Sequence, residues 1–537
     1  MKAILLSSDN PRRIYFFAVP ALLAIGAMMS SLDGAGNFLR GWLVYSLLLG
    51  LAALLIAGAL RVAAADRAAR SATLAAFLAR LILGIALTAV LPVYGYPDQN
   101  VHENGYWFFD AYNRDTAAWQ LAKSDAPILS AFTGDHVEDQ YGGMLAMSAG
   151  IYRLLSPDAH RAMLILILTA VAGALGVPFL WAASRSWFGG SVGATAAWIF
   201  ALYPEAVILG GSQMREAFIM SGIALAFYGL TRLKDGRWAS SAWLIAALII
   251  LFFFSPPAAV LAIGVLSGLW LIERQFRISW TQVGVIAGLT IAGVLLVIGI
   301  FSQYPSLQQL EPWQVLVEWF QNNMAYQIYI AERSSGRIQL LFDEVGEQFS
   351  SLVILAYGIA QPVLPANIVV PGNPVVRVLG TLRAAGWYAV APLLIYGFIT
   401  LLRPIEEKRR RQLLWINLWI GGAVVVAALV AGGDAWDNPR YRTWMIAWVA
   451  LAASWALWWA RSHRDAWLSR TVLVEAVFVL IFLQWYISRY TGIFVKLFFW
   501  QMVALILAVG ALILAVGYVR DRMARSRDSG DDSSLDG

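Results

Sequence analysis

Two groups of charged residues stand beside long apolar stretches and could bind an anion. Arg440 and Arg442 flank Tyr441 at the start of one apolar run, and Arg215 with Glu216 opens another. Charged side chains at membrane depth are costly and usually serve a function. Paired guanidinium groups can hold a phosphate through charge-assisted hydrogen bonds, so the pattern favours phosphate binding by Arg440 and Arg442. The Arg215–Glu216 pair is equally well explained as an interfacial pair.

A short polar run could hold a divalent cation. Asp135, His136, Glu138 and Asp139 follow one another closely, and hard cations prefer oxygen ligands. A solvated loop explains the run more simply, so we expect no certain cofactor. The chain contains no cysteine, which excludes thiolate zinc sites, iron–sulfur clusters and a thiol nucleophile.

The composition indicates what must position these residues. Of the 537 residues, 60% are hydrophobic and 13% are charged. Soluble domains average roughly 45–50% apolar residues and about 25% charged residues. A water-soluble enzyme and a disordered chain are therefore excluded. We predict an all-α polytopic membrane protein in the cell (plasma) membrane, with the lipid bilayer as a partner. The net charge of +6 reflects loop charges and predicts no nucleic-acid partner.

A spanning helix needs about 20 apolar residues, and this length predicts about 14 transmembrane helices. The segments are 14–32, 42–61, 74–95, 162–184, 189–210, 213–232, 239–254, 257–273, 279–303, 376–403, 413–431, 441–460, 471–489 and 493–518. The proline-rich stretch 350–370 is predicted to be non-spanning or re-entrant.

Basic residues set the expected orientation. Most of the 39 Lys and Arg residues fall in alternate short connections, including 61–73 and 403–412, so both termini are predicted to be cytoplasmic. Two long connections, 96–160 and 304–375, then lie outside. A phosphate site at Arg440 and Arg442 would face outward, where ATP is absent and a lipid-carried phosphate is accessible.

The spans and loops give four segments. Residues 1–73 form an N-terminal cytoplasmic segment with two extra spans, and 74–460 form the core. Residues 461–518 form a two-span hairpin, and 519–537 a disordered cytoplasmic tail. In the first outer loop, helical periodicity over 106–123 and 139–155 predicts two helices lying on the outer leaflet.

A resemblance follows from the order of these features. A span leading into an acid-bearing loop helix, a second loop helix and another span resembles the core of the GT-C fold. This superfamily of polyprenyl-phosphate-dependent membrane glycosyltransferases includes the protein mannosyltransferase and aminoarabinose-transferase types. The similar motifs are D115-TAA-W119-QL-A122, with D110-A-Y112 as a competing register, Y141-GGMLAMSAGI-Y152, A201-LYPE, S212-QMREAF and N438-PRYR. The acid doublet common in the family is a single Asp here.

The resemblance implies an inverting transfer of a sugar from a polyprenyl-phosphate donor to an extracytoplasmic acceptor, which could be a glycan, a lipid or a protein. It implies that Asp115 or Asp110 is the general base, with Arg440, Arg442 and Arg215 on the donor phosphate. Supporting roles fall to Tyr441, Glu216 and Tyr112. Five residues on a helix are about 140° apart around its axis, so Asp110 and Asp115 should face different surroundings.

Other interpretations of the sequence remain open. A transporter or flippase for a lipid-linked substrate would also need many helices and buried charge, but the midspan regions carry few acids and the two halves do not repeat. An O-antigen polymerase or ligase shares the donor lipid and the outward-facing site.

Overall fold

The computed structural model describes residues 11–97, 99–133, 138–233, 238–275, 312–334 and 336–532, together with residues 284, 288 and 291. Every regular element in these ranges is a helix, which confirms the predicted all-α class. The chain divides into two compact units. One comprises Met1–Asn322 and Arg440–Ala450, and the other Asn323–Pro439 and Leu451–Gly537. This division does not coincide with the segments predicted from the sequence.

The first unit contains the loop that carries the candidate acids. Its helices are α1 (Pro11–Asp33), α2 (Phe38–Val62), α3 (Arg67–Tyr94), α4 (Asn100–Glu103), α5 (Phe109–Lys123), α6 (Gly143–Leu155), α7 (Met163–Phe188), α8 (Gly190–Leu202), α9 (Pro204–Gly210), α10 (Glu216–Arg232), α11 (Trp238–Phe254) and α12 (Pro256–Glu273). A 3₁₀ turn, Ile128–Phe132, lies between α5 and α6.

The remaining helices lie mainly in the second unit. They are α13 (Pro312–Ser334), α14 (Gly336–Val345), α15 (Ser350–Ala360), α16 (Leu364–Val369), α17 (Pro374–Thr400), α18 (Glu407–Ala431), α19 (Asp437–Thr443), α20 (Ile446–Ser462), α21 (Trp467–Tyr490) and α22 (Phe499–Asp532). Helix α22 extends to Asp532. Residues 533–537 lie outside the described residues.

The number of long apolar helices is smaller than predicted. Among the described residues, eight helices are long and apolar enough to cross a membrane, or ten if each of two bent pairs is one span. The bent pairs are α8 with α9, at 54°, and α19 with α20, at 73°. Of the other predicted spans, 14–32, 213–232 and 239–254 correspond to α1, α10 and α11, while 279–303 lies outside the described ranges apart from three isolated residues. In the 350–370 stretch, α15 and α16 have only 11 and 6 residues, too few to span.

Helix α7 forms the centre of the first unit. It packs against α2, α3, α8 and α10, and nearly all of its side chains are buried. The helix is apolar all round, as expected for a helix enclosed by others. The loop helices α5 and α6 pack against each other, and their bounds agree with the two helices predicted from periodicity.

Arg80 of α3 is fully buried beside the break between α8 and α9. Its Nη1 donates to the carbonyl oxygens of Ala76 and Ala201, both at 2.9 Å, and its Nη2 donates to Phe200 O at 3.5 Å. The last carbonyls of a helix lack partners within it, so the guanidinium satisfies the end of α8. Gly173 leaves the space, since a Cβ there would lie 2.7 Å from Arg80 Nε.

Candidate functional site

Helix α5 presents its two aspartates to different surroundings. Asp110 and Arg114 are four residues apart and lie on one side of the helix, while Asp115 points about 140° away from Asp110. The Asp115 side chain is 3% exposed, and that of Asp110 is 46% exposed. The predicted divergence of the two acids is therefore present in the structure.

Arg440 joins two carboxylates that are far apart in sequence. Its Nη1 donates to Asp110 Oδ2 at 2.7 Å, and its Nε donates to Glu216 Oε1 at 2.7 Å. The Glu216 side chain is fully buried and the Arg440 side chain nearly so. Both oxygens are within the distance typical of strong charge-assisted bonds.

A second ion-paired group lies around Asp139. Its Oδ1 is 3.4 Å from Arg215 Nη1 and 3.7 Å from Arg114 Nε. The Arg215 guanidinium also lies over the Tyr141 ring, 4.7 Å from the ring centroid. The other oxygen of Asp139, Oδ2, accepts a 2.9 Å bond from the backbone N–H of Leu145 near the start of α6. We call Asp110, Arg114, Asp139, Arg215, Glu216 and Arg440 the arginine cluster.

Local backbone geometry brings these side chains together. Gln213 adopts a left-handed conformation, with φ of 58°, between α9 and α10, and Glu216 begins α10 three residues later. Gly142, with φ of 73°, precedes α6. A Cβ at Gly142 would lie 2.3 Å from the Ala131 carbonyl oxygen, so this turn requires glycine.

Several buried atoms of the arginine cluster lack hydrogen bonds to other described residues. They are Nε and Nη1 of Arg114, Nε of Arg215 and Oε2 of Glu216, with Oε1 of nearby Gln213. Buried polar groups are normally satisfied by protein or water, and unpaired ones are costly. The arginine nitrogens among these atoms are unused donors available for an anionic ligand, whereas the two oxygens are acceptors.

Charge–charge interactions shift the pKa values of the loop members of the cluster. Burial raises the pKa of Asp110, but the attraction of Arg440 and Arg114 outweighs it and the net shift is downward. Burial lowers the pKa of Arg114, partly opposed by Asp139. Asp110 is therefore ionised at neutral pH and held as the partner of a guanidinium.

The remaining residues of the predicted arginine motif lie on the same short helix. Arg442 is buried, 5% exposed, two positions after Arg440 on α19. Residues two apart on a helix do not share a face, so the pair differs from a simple two-pronged fork. Tyr441 lies beside Arg440, whose guanidinium carbon is 5.7 Å from the ring centroid.

Asp115 is surrounded by three side chains, which with it we call the Asp115 network. Tyr106 Oη donates to Asp115 Oδ2 at 2.6 Å, and Tyr152 Oη donates to Oδ1 at 2.6 Å. His160 Nε2 lies 2.8 Å from Oδ2. Burial and the Asp115 charge raise the pKa of both tyrosines well above the ordinary value, so both hydroxyls stay protonated as donors.

Aromatic rings fix the orientation of His160. Its ring stacks on Trp119 with centroids 5.4 Å apart, and Tyr152 meets it edge-on at 5.1 Å. The His160 side chain is 30% exposed. Tyr112, expected in a supporting role, meets the Tyr106 ring edge-on at 5.4 Å.

The proposed cation-binding run is only partly described. Asp135 and His136 lie outside the described residues, and Asp139 belongs to the arginine cluster. Within the described ranges, no group of three or more His, Asp or Glu side chains is arranged to hold a metal ion.

The sequence does not indicate that Arg114, Tyr106, Tyr152 and His160 belong to these sites. Tyr152 lies at the end of the quoted loop motif, and four histidines in the whole chain make any one of them notable. Neither signal indicates a contact with Asp115, because the partners come from separate elements.

Comparisons with known proteins assign this chain to no family. No protein-family model matches it, and no curated protein matches it either. Among solved structures, it is similar to the crystal structure of the Archaeoglobus fulgidus oligosaccharyltransferase in the apo form, with 14% sequence identity and a TM-score of 0.37. The match covers 81% of this chain and 54% of that chain, so the chain spans about half of the neighbour's length. At this TM-score the likeness carries no argument about function, which depends on the side chains.

Proposed function

We propose that the protein is a membrane glycosyltransferase that moves a sugar from a polyprenyl-phosphate-type donor to an acceptor outside the cytoplasm. The observation that carries the proposal is the arginine cluster. It gathers three guanidinium groups, and buried donors of Arg114 and Arg215 make no hydrogen bond to the part of the chain that the structure describes. Guanidinium groups in a water-poor site are well suited to bind phosphate.

The cluster can stabilise a phosphate leaving group. The acceptor oxygen attacks the anomeric carbon of the sugar, and the bond from that carbon to the phosphate oxygen breaks. The electron pair departs with the lipid phosphate, whose added negative charge is stabilised by Arg440, Arg215 and Arg114. The hydroxyl proton of the acceptor must pass to a base.

The two aspartates of α5 take different parts in this proposal. Asp110 contacts Arg440 and is exposed enough to meet a substrate. Asp115 is enclosed by its partners and can act only through them. Arg442 and Tyr441 support the position of Arg440 on α19, and Glu216 holds the Arg440 guanidinium from its buried side.

The proposal includes an orientation. We place both termini and the connections 61–73 and 403–412 in the cytoplasm, with the loop carrying α5 and α6 outside, in the plasma membrane. A reporter enzyme fused near residue 130 tests this. Activity of a periplasmic or extracellular reporter supports the orientation, and activity of a cytoplasmic reporter at that position contradicts it.

Binding of polyprenyl phosphate tests the proposed phosphate site without knowledge of the sugar or acceptor. The protein in lipid nanodiscs is titrated with a short-chain polyprenyl phosphate. Arg215→Ala and Arg440→Lys should each weaken binding by about 1.5–3 kcal/mol, the range for a hydrogen bond to a charged group. Lysine keeps a positive charge beside Glu216, so Arg440→Lys separates phosphate recognition from folding.

Arg40→Ala is the matched control for this titration. Arg40 forms an exposed ion pair with Asp158, at 3.2 Å, on α2 and outside the arginine cluster. Its replacement should leave the Kd unchanged. Equal affinity of wild type and an Arg215→Ala, Arg440→Lys double variant would refute the phosphate site.

A further inference from the structure

We infer that Asp110 is a specificity-determining residue of the proposed phosphate site. Its carboxylate occupies the place on Arg440 that the phosphate of the lipid donor takes, and the two anions exchange. The inference rests on the proposed function, because it describes how the arginine cluster admits the donor and which charge on a ligand the cluster prefers.

The arginine cluster is balanced in charge. Its three guanidinium groups face three carboxylates, those of Asp110, Asp139 and Glu216. With every group ionised the formal charges cancel, so a phosphate would add an anion to a neutral group in a water-poor site. An uncompensated buried charge is costly. One carboxylate therefore has to withdraw for the cluster to neutralise a phosphate by itself.

Exposure identifies Asp110 as the carboxylate that can withdraw. Its side chain is 46% exposed, whereas those of Asp139 and Glu216 are 1% and 0% exposed. A carboxylate that leaves its guanidinium partner must be solvated by water instead. Asp139 and Glu216 would lose their partners without gaining water, which is strongly unfavourable for a buried charge. Asp110 is already in contact with solvent.

Few bonds hold the Asp110 carboxylate in its present place. Among the described residues, it makes one hydrogen bond, which Arg440 Nη1 donates to Oδ2 at 2.7 Å. Asp139, in contrast, accepts from the Leu145 backbone with one oxygen and faces two guanidinium groups with the other. Glu216 accepts from a different nitrogen of Arg440, Nε. The exchange therefore breaks one bond and leaves the other contacts of the cluster in place.

The place that Asp110 vacates is suited to a phosphate oxygen. Nη1 of Arg440 loses its carboxylate acceptor there. Arg114 lies one helical turn further along α5, and its Nε and Nη1 make no hydrogen bond to the described part of the chain. Arg114 already attracts Asp110 electrostatically. A phosphate oxygen at this position would accept a charge-assisted bond from Arg440 and would be attracted by Arg114 in the same way.

Asp110 competes with phosphate because it is itself an anion at neutral pH. Burial raises the pKa of its carboxyl group, but the attraction of Arg440 and Arg114 outweighs burial and the net shift is downward. Each phosphate that binds must therefore displace an ionised carboxylate. When the ligand leaves, the carboxylate returns to Arg440 and closes the site.

The competition also discriminates between ligands of different charge. A donor of the proposed type joins sugar and lipid through a phosphodiester, which carries a single negative charge. The polyprenyl phosphate released by transfer is a monoester, with a charge of about −1.5 to −2 at pH 7. After withdrawal, Asp110 remains near the cluster on the first turn of α5, and repulsion grows with the charge of the ligand. Asp110 therefore disfavours the monoester product and promotes its release.

Removal of the Asp110 charge is the first test. The wild type and Asp110→Asn, each in lipid nanodiscs, are titrated with a short-chain polyprenyl phosphate and with its methyl phosphodiester. Asparagine has nearly the shape of aspartate but is not an anion, so both probes should bind more tightly. The gain should be about threefold to fivefold for the phosphodiester, the scale of a half-exposed ion pair, and larger for the monoester. Unchanged or weaker binding of both probes would overturn the inference, and a gain no larger for the monoester would refute the charge preference.

Glu103→Gln is the matched control for this titration. Glu103 is exposed on α4, in the same loop between α3 and α5, and it forms no ion pair with the described residues. The substitution removes the same charge from the loop without touching the arginine cluster, so the Kd of each probe should equal that of the wild type. A gain as large as that of Asp110→Asn would assign the effect to the overall charge of the loop and overturn the competition at Arg440.

A structure with the probe bound gives a readout independent of affinity. Cryo-electron microscopy of the wild type in nanodiscs with the methyl phosphodiester should show a phosphate oxygen within hydrogen-bond distance of Arg440 Nη1. The Asp110 carboxylate should be turned away from Arg440. A phosphate bound in the cluster with the bond between Asp110 and Arg440 intact would overturn the exchange.

Failure of the inference and failure of the proposed function can be told apart. If neither the wild type nor Asp110→Asn binds either probe, the phosphate site is refuted and the inference fails with it. If the wild type binds both probes and Asp110→Asn binds them no more tightly, the phosphate site stands and Asp110 is not a displaceable anion.

Discussion

The arginine cluster and the Asp115 network place the same residue type, on the same helix, in opposite chemical environments. Asp110 meets a guanidinium and stays about half exposed, whereas Asp115 is buried among two tyrosine hydroxyls and an imidazole. The environment of a carboxylate decides its chemistry. Asp110 is therefore suited to hold the Arg440 guanidinium, and Asp115 is suited to orient the His160 ring.

The two regions also differ in how completely their polar atoms are bonded. Both oxygens of Asp115 accept bonds of 2.6–2.8 Å. In the arginine cluster, Glu216 Oε2 and two nitrogens of Arg114 have no hydrogen bond to other described residues. A fully satisfied network is rigid, while the unused nitrogens of Arg114 are donors that favour an anionic ligand. We therefore expect phosphate to bind at the arginine cluster and not at the Asp115 network.

The largest effect on stability is expected in the arginine cluster. Arg440→Ala leaves the fully buried Glu216 carboxylate without its 2.7 Å partner. Removal of one member of a buried ion pair typically costs about 3–5 kcal/mol. Denaturant unfolding of the purified protein in micelles measures the loss.

Arg40→Ala calibrates that measurement. The Arg40 side chain is 42% exposed in its pair with Asp158, and exposed pairs contribute about 0–1 kcal/mol. A similar loss in the two variants would show that the Arg440 pair is not desolvated as described.

A smaller loss is expected when one hydroxyl is removed from the Asp115 network. Tyr152→Phe removes a 2.6 Å bond to a buried carboxylate, which is worth about 1.5–3 kcal/mol. Thermal unfolding followed by tryptophan fluorescence measures the change, and polyprenyl phosphate binding should be unaltered.

Tyr112→Phe is the control for the hydroxyl. Tyr112 meets the Tyr106 ring edge-on, and its hydroxyl makes no hydrogen bond within the described ranges. The loss of stability in Tyr112→Phe should be close to zero. Equal destabilisation by the two substitutions would assign the effect of Tyr152 to ring packing rather than to the Asp115 bond.

The smallest effect is the contribution of Asp110 to acid stability. Arg440 and Arg114 lower the pKa of Asp110 in the folded protein despite burial. Stability from this carboxylate is therefore present above the unfolded pKa of about 3.9 and is lost as pH falls below it. Because the side chain is about half exposed, its share should not exceed about 1 kcal/mol.

The Asp110→Asn variant measures the contribution of the Asp110 carboxylate to stability. Unfolding free energies of wild type and variant, measured between pH 7 and 3, should differ most at neutral pH and converge as the solution is acidified. A difference that grows towards pH 3 would contradict the ion pair with Arg440.

The sequence predicts the local features well because they depend on periodicity. The helices α5 and α6 follow from apolar spacing, and the divergence of Asp110 and Asp115 follows from helical geometry. The all-helical class follows from composition. Breaks near Tyr203-Pro204 and Gln213 shorten or bend helices that a hydropathy window reads as continuous, which accounts for part of the difference in span number.

Contacts over long sequence separations could not be predicted. Asp110 and Arg440 are 330 residues apart, and Tyr152 and His160 reach Asp115 over 37 and 45 residues. Apolar periodicity indicates which face of a helix is buried, but not which partner covers it. The sequence therefore supplied the acids and arginines and left their pairing open.

The buried guanidinium of Arg80 has a mechanical consequence. By holding the Ala201 carbonyl against α3, it links the helix that leads into the α5 loop with the break that leads to Glu216. A displacement of α3 is therefore transmitted to the break between α8 and α9. Replacing Arg80 with methionine would remove this hydrogen-bonded link, and only the packing of α3 against α8 and α9 would then connect the two segments that carry Asp110 and Glu216.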